Sequence, residues 1–341
     1  MNYNFKYNYV VFSWLMPNAK SIEDDYYAIS LRDLDNREDV ILNFSPLQGR
    51  SSFMRLLWRI SMSRLCNNRW WKFNTSFWYP FIFKNTFKDN KPICFVCIRF
   101  PEANYLSYLH KHYPHCKVVV MCRDLLRVHM DAYLKYQRGT GKVYDYWMSY
   151  DKAECEKYGF RHFEQFESKI HIPISNEYPI ADVFFAGRAK DRLSRLVAMY
   201  DELTRQGMKC LFLIMSASEE IRVTRDGIRY IDDPITYSEM LRLTVNSKCL
   251  LDLNQSDCVG YTPRILEAII YNKKLITDNA SILNTKYYNP LHMQYIKTAD
   301  DIDARFINDN PDVDYHYNND FSPLNILLQI DKMLSSEVFN K

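Results

Sequence analysis

Residues 260–279, GYTPRILEAIIYNKKLITDN, set a glycine, a threonine, a proline and an arginine at the start of a helical stretch. The first turn of a helix leaves backbone N–H groups unpaired at the positive end of its dipole, which makes it a ready phosphate site. Gly260 permits close backbone approach, Thr262 can cap the helix or offer its hydroxyl, and Pro263 suits the first helical position. Arg264 adds a fixed charge able to grip phosphate oxygens through two parallel bonds. Glu267 lies one turn along the same face, roughly 5 Å further from the phosphate end, where a carboxylate can accept from ribose hydroxyls. The stretch reads as a nucleoside diphosphate cradle. The same residues also fit a plainer reading: an ordinary helix start and a surface Arg264–Glu267 pair of little energetic weight.

A second anion-friendly turn sits upstream. DVFFAGRAKDR ends an apolar run in Gly187, Arg188 and Lys190 just before another helical stretch. Two such turns at strand ends of one sheet can face the same diphosphate, although either alone also suits a solvated loop. A reaction that expels a diphosphate further needs a base for the attacking hydroxyl. Carboxylates at strand ends supply the candidates: Asp124 after VVVMCR and Asp151 after YWMSY, with Asp24 and Asp25 beyond the first strand. Each also suits a helix cap or a surface charge, and Asp24 already completes a capping box with Ser21.

The elements that must carry these residues follow from the apolar pattern. Short runs rich in valine, isoleucine and phenylalanine alternate with stretches of helical period, which predicts parallel sheets covered on both faces. Strands are expected at Tyr9–Trp14, Asp39–Phe44, Ile93–Ile98, Lys117–Cys122 and Tyr144–Ser149, with a helix running from Ser21 toward Leu34. The second half reads more cleanly: strand DVFFAG, helix DRLSRLVAMYDELTRQ stopped by Gly207, strands KCLFLIM and IRYI, helix TYSEMLRLTVNS, strand CLLDLN, the helix of the opening stretch, and strands KLITD and QYI. SPLNILLQIDKMLSS is an amphipathic closing helix. ESKIHIPISNEYPIAD lacks periodicity and holds two prolines, so the chain divides near residue 176 into 1–176 and 177–320, with 321–341 as the terminal helix. The expected fold class is α/β, two Rossmann-like doubly wound domains facing each other across a cleft that holds the ligand.

The ordered set DVFFAGR, YIDDPITYSEMLRLTVNSKCLLDLN and GYTPRILEAIIYNKKLITDN resembles the carboxyl-terminal donor domain of GT-B glycosyltransferases, especially bacterial enzymes of capsule, exopolysaccharide and lipopolysaccharide assembly. The resemblance spans roughly residues 180–300. It implies that the loop from Asp233 to Tyr237, with Pro234, lies near the nucleotide base, that Gly187 and Arg188 approach the phosphates, and that Glu267 binds the ribose. Asn254, closing CLLDLN, joins this expected donor-binding set with Lys190, Gly260, Thr262 and Arg264. YDYWMSYDKAECEKYGF is similar to the family's last amino-terminal strand and following helix. The chain departs from the family in two places: Val259 stands where many retaining members carry a second glutamate, and the glycine-rich amino-terminal loop is replaced by SWLMPNAKSIEDD.

The implied activity is a metal-independent transfer of a hexose-type sugar from a nucleotide diphosphate sugar, as co-substrate without a further cofactor, to a saccharide or lipid-linked acceptor in surface polysaccharide synthesis. A nucleotide-sugar epimerase of the same architecture and a non-catalytic nucleotide or sugar-binding module are the alternatives. Residues 50–84 hold seven lysines and arginines, no acidic residue and many aromatic rings, a composition suited to an anionic membrane surface or to a core with snorkelling arginines.

The bulk composition narrows the classes. With 44 basic against 41 acidic residues there is no overall charge for nucleic-acid binding. Nine irregularly spaced cysteines suit reduced thiols, and neither a signal peptide nor a membrane span is expected, which places the protein in the cytoplasm or on the inner face of a membrane. CFVC at 94–97 lies in an expected strand that turns its two thiols to opposite faces, and HKHYPHC is expected in a loop without a carboxylate partner, so no metal site is assigned.

Overall fold

A computed structural model of the chain describes residues 3–15, 21–61, 75–99, 101–138, 142–233, 235–254, 260–309 and 312–336. Twelve strands appear in chain order: β1 Asn8–Phe12, β2 Val40–Asn43, β3 Ile93–Cys97, β4 Lys117–Cys122, β5 Tyr146–Ser149, β6 Arg161–His162, β7 Ala181–Arg188, β8 Cys210–Met215, β9 Ile228–Ile231, β10 Ser247–Asp252, β11 Lys274–Thr277 and β12 Met293–Tyr295. They form two six-stranded sheets in the orders β2-β1-β3-β4-β5-β6 and β12-β11-β10-β7-β8-β9, and every pairing is parallel. This is the two-sheet α/β class that the apolar alternation predicts.

Both faces of each sheet are buried because side chains alternate along each strand. In β3, Cys94 and Val96 join one core while Phe95 and Cys97 join the other. In β10, Leu250 packs on one face and Cys249 and Leu251 on the opposite one. The strand order reverses at β1/β3 in the first sheet and at β7/β10 in the second, which opens a crevice at the carboxyl edge of each.

Two expectations need correction, and one short strand was not expected. The helix expected from Ser21 to Leu34 is broken into a 3-10 turn Ile22–Asp24, a short helix Tyr26–Ile29 and a second 3-10 turn Arg32–Leu34. The cause is a second cap: behind the Ser21/Asp24 capping box, Asp25 accepts from the backbone N–H groups of Tyr27 and Ala28 and restarts the helix. The two-residue strand β6 carries too little pattern to be seen in sequence. His110 and His112 end the helix Ala103–His112 rather than lying in a loop.

The terminal helix Pro323–Ser336 returns to the first sheet, where Ile326, Leu327, Ile330 and Leu334 complete one face. Its buried Asp331 accepts from the backbone N–H of Lys6 at 3.0 Å, that of Tyr7 at 3.3 Å and the Tyr9 hydroxyl at 3.0 Å. Replacing this carboxylate strands three donors at the start of β1. Asp331→Ala is expected to lower unfolding free energy by about 2–4 kcal/mol, read from urea denaturation, whereas a surface substitution such as Lys332→Ala stays within about 0.5 kcal/mol.

Candidate functional site between the two sheets

The helix Pro263–Ile270 begins as the sequence suggests. Thr262 is its N-cap, its hydroxyl accepting from Ile265 N at 3.3 Å, and the buried Asp252 carboxyl at the end of β10 accepts from the Thr277 hydroxyl at 2.9 Å. Gly260 has a φ of +127°, a conformation that L side chains rarely adopt, and its open Cα faces the Tyr150 ring. The loop is thereby pressed against the first domain.

A cavity of about 390 Å³ lies between the domains in front of this helix start. Tyr26, Tyr27 and Asp124 line it from the first domain, and Arg192, Asp252 and Thr262 from the second. It sits at the carboxyl ends of β7 and β10, the point where the strand order of the second sheet reverses. Arg192 bridges that point, donating from Nη1 to the Leu253 carbonyl and from Nε to the Arg188 carbonyl at 3.3 Å. Arg188 closes β7, and Lys190 follows in the next 3-10 turn, where desolvation and then the neighbouring Arg192 charge lower its ammonium pKa. A second hollow of about 770 Å³ continues past Gly260, Tyr261 and Asn254. There Asp278 accepts from Asn254 N at 2.7 Å and pairs with Arg195.

Arg264 and Glu267 are neither a surface pair nor two open ligand groups. Arg264 Nη1 meets Glu267 Oε2 at 2.6 Å, and the same guanidinium reaches Thr244 Oγ1 at 3.2 Å and the Ala186 carbonyl at 3.2 Å. Glu267 is only 1% exposed. Its other oxygen faces the Tyr237 hydroxyl at 3.2 Å, and that hydroxyl also contacts Glu167, a wholly buried residue of the stretch between the two sheets. Pro234 of the expected base loop lies outside the described residues. Tyr237, the other member of that loop, opens the helix Tyr237–Val245 and is buried in this cluster, its ring 4.9 Å from Tyr26 of the first domain.

Beside it stands Arg123, buried directly after β4. Its guanidinium donates to Ser30 Oγ at 2.5 Å, Tyr26 Oη at 2.8 Å, the Phe166 carbonyl at 2.6 Å and Gln165 Oε1 at 3.2 Å. Sequence reasoning missed Arg123, Arg192, Tyr26 and Glu167. Arg123 and Arg192 adjoin Asp124 and Lys190, both singled out as strand-end residues, so a wider window around each strand end finds them. Nothing local marks Glu167.

The two candidate bases occupy different settings. Asp151 is buried as the N-cap of Lys152–Tyr158, accepting from Glu154 N at 2.9 Å, so its oxygen is committed to the helix. Asp124 stands at the cavity mouth, accepts from the Tyr27 hydroxyl at 3.1 Å and lies 3.9 Å from His129 Nε2. Burial lowers the His129 pKa, which favours a neutral imidazole beside that carboxylate.

The glutamate cluster dictates a protonation state. One phenol carries one proton, so Tyr237 can donate to one carboxylate and must accept from the other. Arg264 holds Glu267 as the ionised partner, which leaves the proton on Glu167. Burial first and the Glu267 charge second push the Glu167 carboxyl upward from 4.5 to about 8. The folded chain therefore keeps a proton that the unfolded chain releases above its ordinary carboxylate pKa, and stability from this group falls as pH rises between those two values. Glu167→Gln, which mimics the protonated acid, is expected to flatten that part of the stability–pH profile measured by thermal unfolding from pH 5 to 9, while retaining the fold. An unchanged slope in the variant places the titrating group elsewhere.

No protein-family profile matches the sequence, and neither does any curated protein. Solved structures match in shape. HepE from Anabaena, determined with UDP and glucose, is 10% identical, with 97% of this chain and 100% of that one covered at a TM-score of 0.52. UDP-N-acetylglucosamine 2-epimerase from Rickettsia bellii is 11% identical over 98% and 100% of the two chains at 0.45. A UDP-forming trehalose-phosphate synthase from Burkholderia vietnamiensis is 9% identical over 97% and 99% at 0.46. At such identities the likeness is one of fold: the chain is a GT-B fold of two facing parallel sheets.

Proposed function

We propose that the protein transfers a sugar from a nucleoside diphosphate sugar to a saccharide or lipid-linked acceptor. The observation that supports this best is the interdomain cavity at the β7/β10 reversal, walled by a helix start and by Arg192 on one side and by Tyr27 and Asp124 on the other. In this reading the diphosphate lies against the start of Pro263–Ile270, and Arg188, Lys190 and Arg192 supply positive charge to the departing group. Glu267, clamped by Arg264, is buried in the cavity wall. Asp124 is the base candidate that faces the cavity without being spent on a helix cap. Surface polysaccharide assembly is the process in which such a transfer fits. The same cavity also suits an epimerase, which acts on the donor without an acceptor, and a binding module, which lacks turnover altogether.

Uridine, guanosine, cytidine and thymidine diphosphates separate these readings from none at all. One of them is expected to raise the unfolding temperature, since a ligand at about 100 times its dissociation constant adds near 2.7 kcal/mol. Arg188→Ala with Lys190→Ala is expected to weaken that ligand by about tenfold or more. Asp124→Ala is expected to leave nucleotide binding intact and to lower turnover by about 10²-fold or more. Nucleotide released only with acceptor present marks transfer, and isomerised sugar without acceptor marks the epimerase. Absence of a shift with all four diphosphates removes the donor-site assignment.

A further inference from the structure

The helix Ser52–Ser61 wears its apolar side outward. Phe53, Leu56, Leu57 and Ile60, at i, i+3, i+4 and i+7, form one stripe, and each is between 39% and 68% exposed. The side turned inward is different: Trp58 packs edge-on against the buried Trp78 at 5.6 Å and joins the first domain's core. Phe77, itself 61% exposed, stacks edge-on against Trp78 at 5.4 Å. Arg50 ties the two pieces together, donating from Nε to the Phe81 carbonyl at 3.1 Å.

Charge decides what this surface fits. At 100° per residue, Arg55 and Arg59 project about a third of a turn from the stripe, and both are exposed. Residues 50–84 contain no acidic side chain at all. A protein partner's core would be met by an apolar patch with a mixed polar rim. Here the charged side chains of the helix, Arg55 and Arg59, are both cationic, which matches an anionic bilayer: apolar side chains enter the acyl boundary while arginines stay at the headgroup level. No described helix is long and apolar enough to cross a membrane, so the geometry is that of a helix lying on one. The helix follows β2 at the carboxyl edge of the first sheet, the edge on which Asp124 faces the cavity.

We propose that the Phe53/Leu56/Leu57/Ile60 stripe seats the protein on an anionic membrane surface. The docking needs no nucleotide, so its failure is distinguishable from failure of the donor-site reading.

Flotation of the full chain with phosphatidylcholine vesicles, with and without phosphatidylglycerol, tests it. Binding is expected only with the anionic lipid and is expected to weaken as salt rises. Phe53→Ser with Leu57→Ser, and separately Arg55→Glu with Arg59→Glu, are expected to reduce the bound fraction by about tenfold or more with unchanged circular dichroism and unfolding temperature. The proposal is overturned if the anionic vesicles float no protein, or if both double variants bind as the parent does. It is equally overturned if light scattering shows a dimer that the Phe53/Leu57 variant dissolves, since the stripe is then covered by a second copy.

Discussion

Two buried carboxyls that meet on one phenol tie the stretch joining the two sheets to the helices of the second domain. Arg264 and Glu267 lie in the helix Pro263–Ile270, Tyr237 starts the helix Tyr237–Val245, and Glu167 comes from the stretch that joins the sheets. Two carboxylates on one phenol are tolerable in a dry interior only if one of them is neutral, because a second buried charge without its own partner is costly. Arg264 settles which one stays charged. The neutral acid, the phenol and the ionised acid then form a directional chain running from the joining stretch to the helix that fronts the cavity.

That chain explains why residues suited to ligand contact are packed so tightly. Arg264 does not wait in solvent for a phosphate: it lies over the Phe184 ring at 5.5 Å and is bonded to the Ala186 carbonyl, which fixes the helix start against β7. Arg123 plays the matching part on the first domain, clasping Tyr26, Ser30 and the Phe166 carbonyl beneath the Tyr26–Tyr237 contact. Held this way, these described parts of the cavity wall are fixed by contacts within the protein. Arg192 lines the cavity where the carboxyl edges of β7 and β10 meet, tied to the Arg188 and Leu253 carbonyls, with Arg188 and Lys190 beside it in sequence.

Much of the fold was legible because parallel strands buried on both faces leave a strong local mark. Lys117–Cys122 reads as a strand with correct ends, and Gly207, at a φ of +85°, stops its helix as its position suggests. The stretch from Ser21 to Leu34 misread for an equally local reason: two overlapping caps, one at Ser21 and one at Asp25, compete for the same few backbone groups. The site divides likewise. Thr262 and Pro263 cap and open their helix as their spacing implies, but the plain reading of Arg264 with Glu267 as a surface pair was right about the pairing and wrong about the water. Glu167 stood unmarked in an aperiodic linker, where a lone acid looks like any solvated charge.

The residues by themselves determined what depends on neighbours in sequence: the periodicity of strands and helices, the caps, the stripe of Phe53, Leu56, Leu57 and Ile60, and the turns able to welcome an anion. Only the tertiary structure decided which of these face each other. Burial and partner choice arise from contacts between residues far apart in the chain, such as Glu167 with Tyr237 and Arg123 with Tyr26, and it is burial that sets whether a carboxyl is charged, an arginine is engaged, or an apolar stripe is left uncovered.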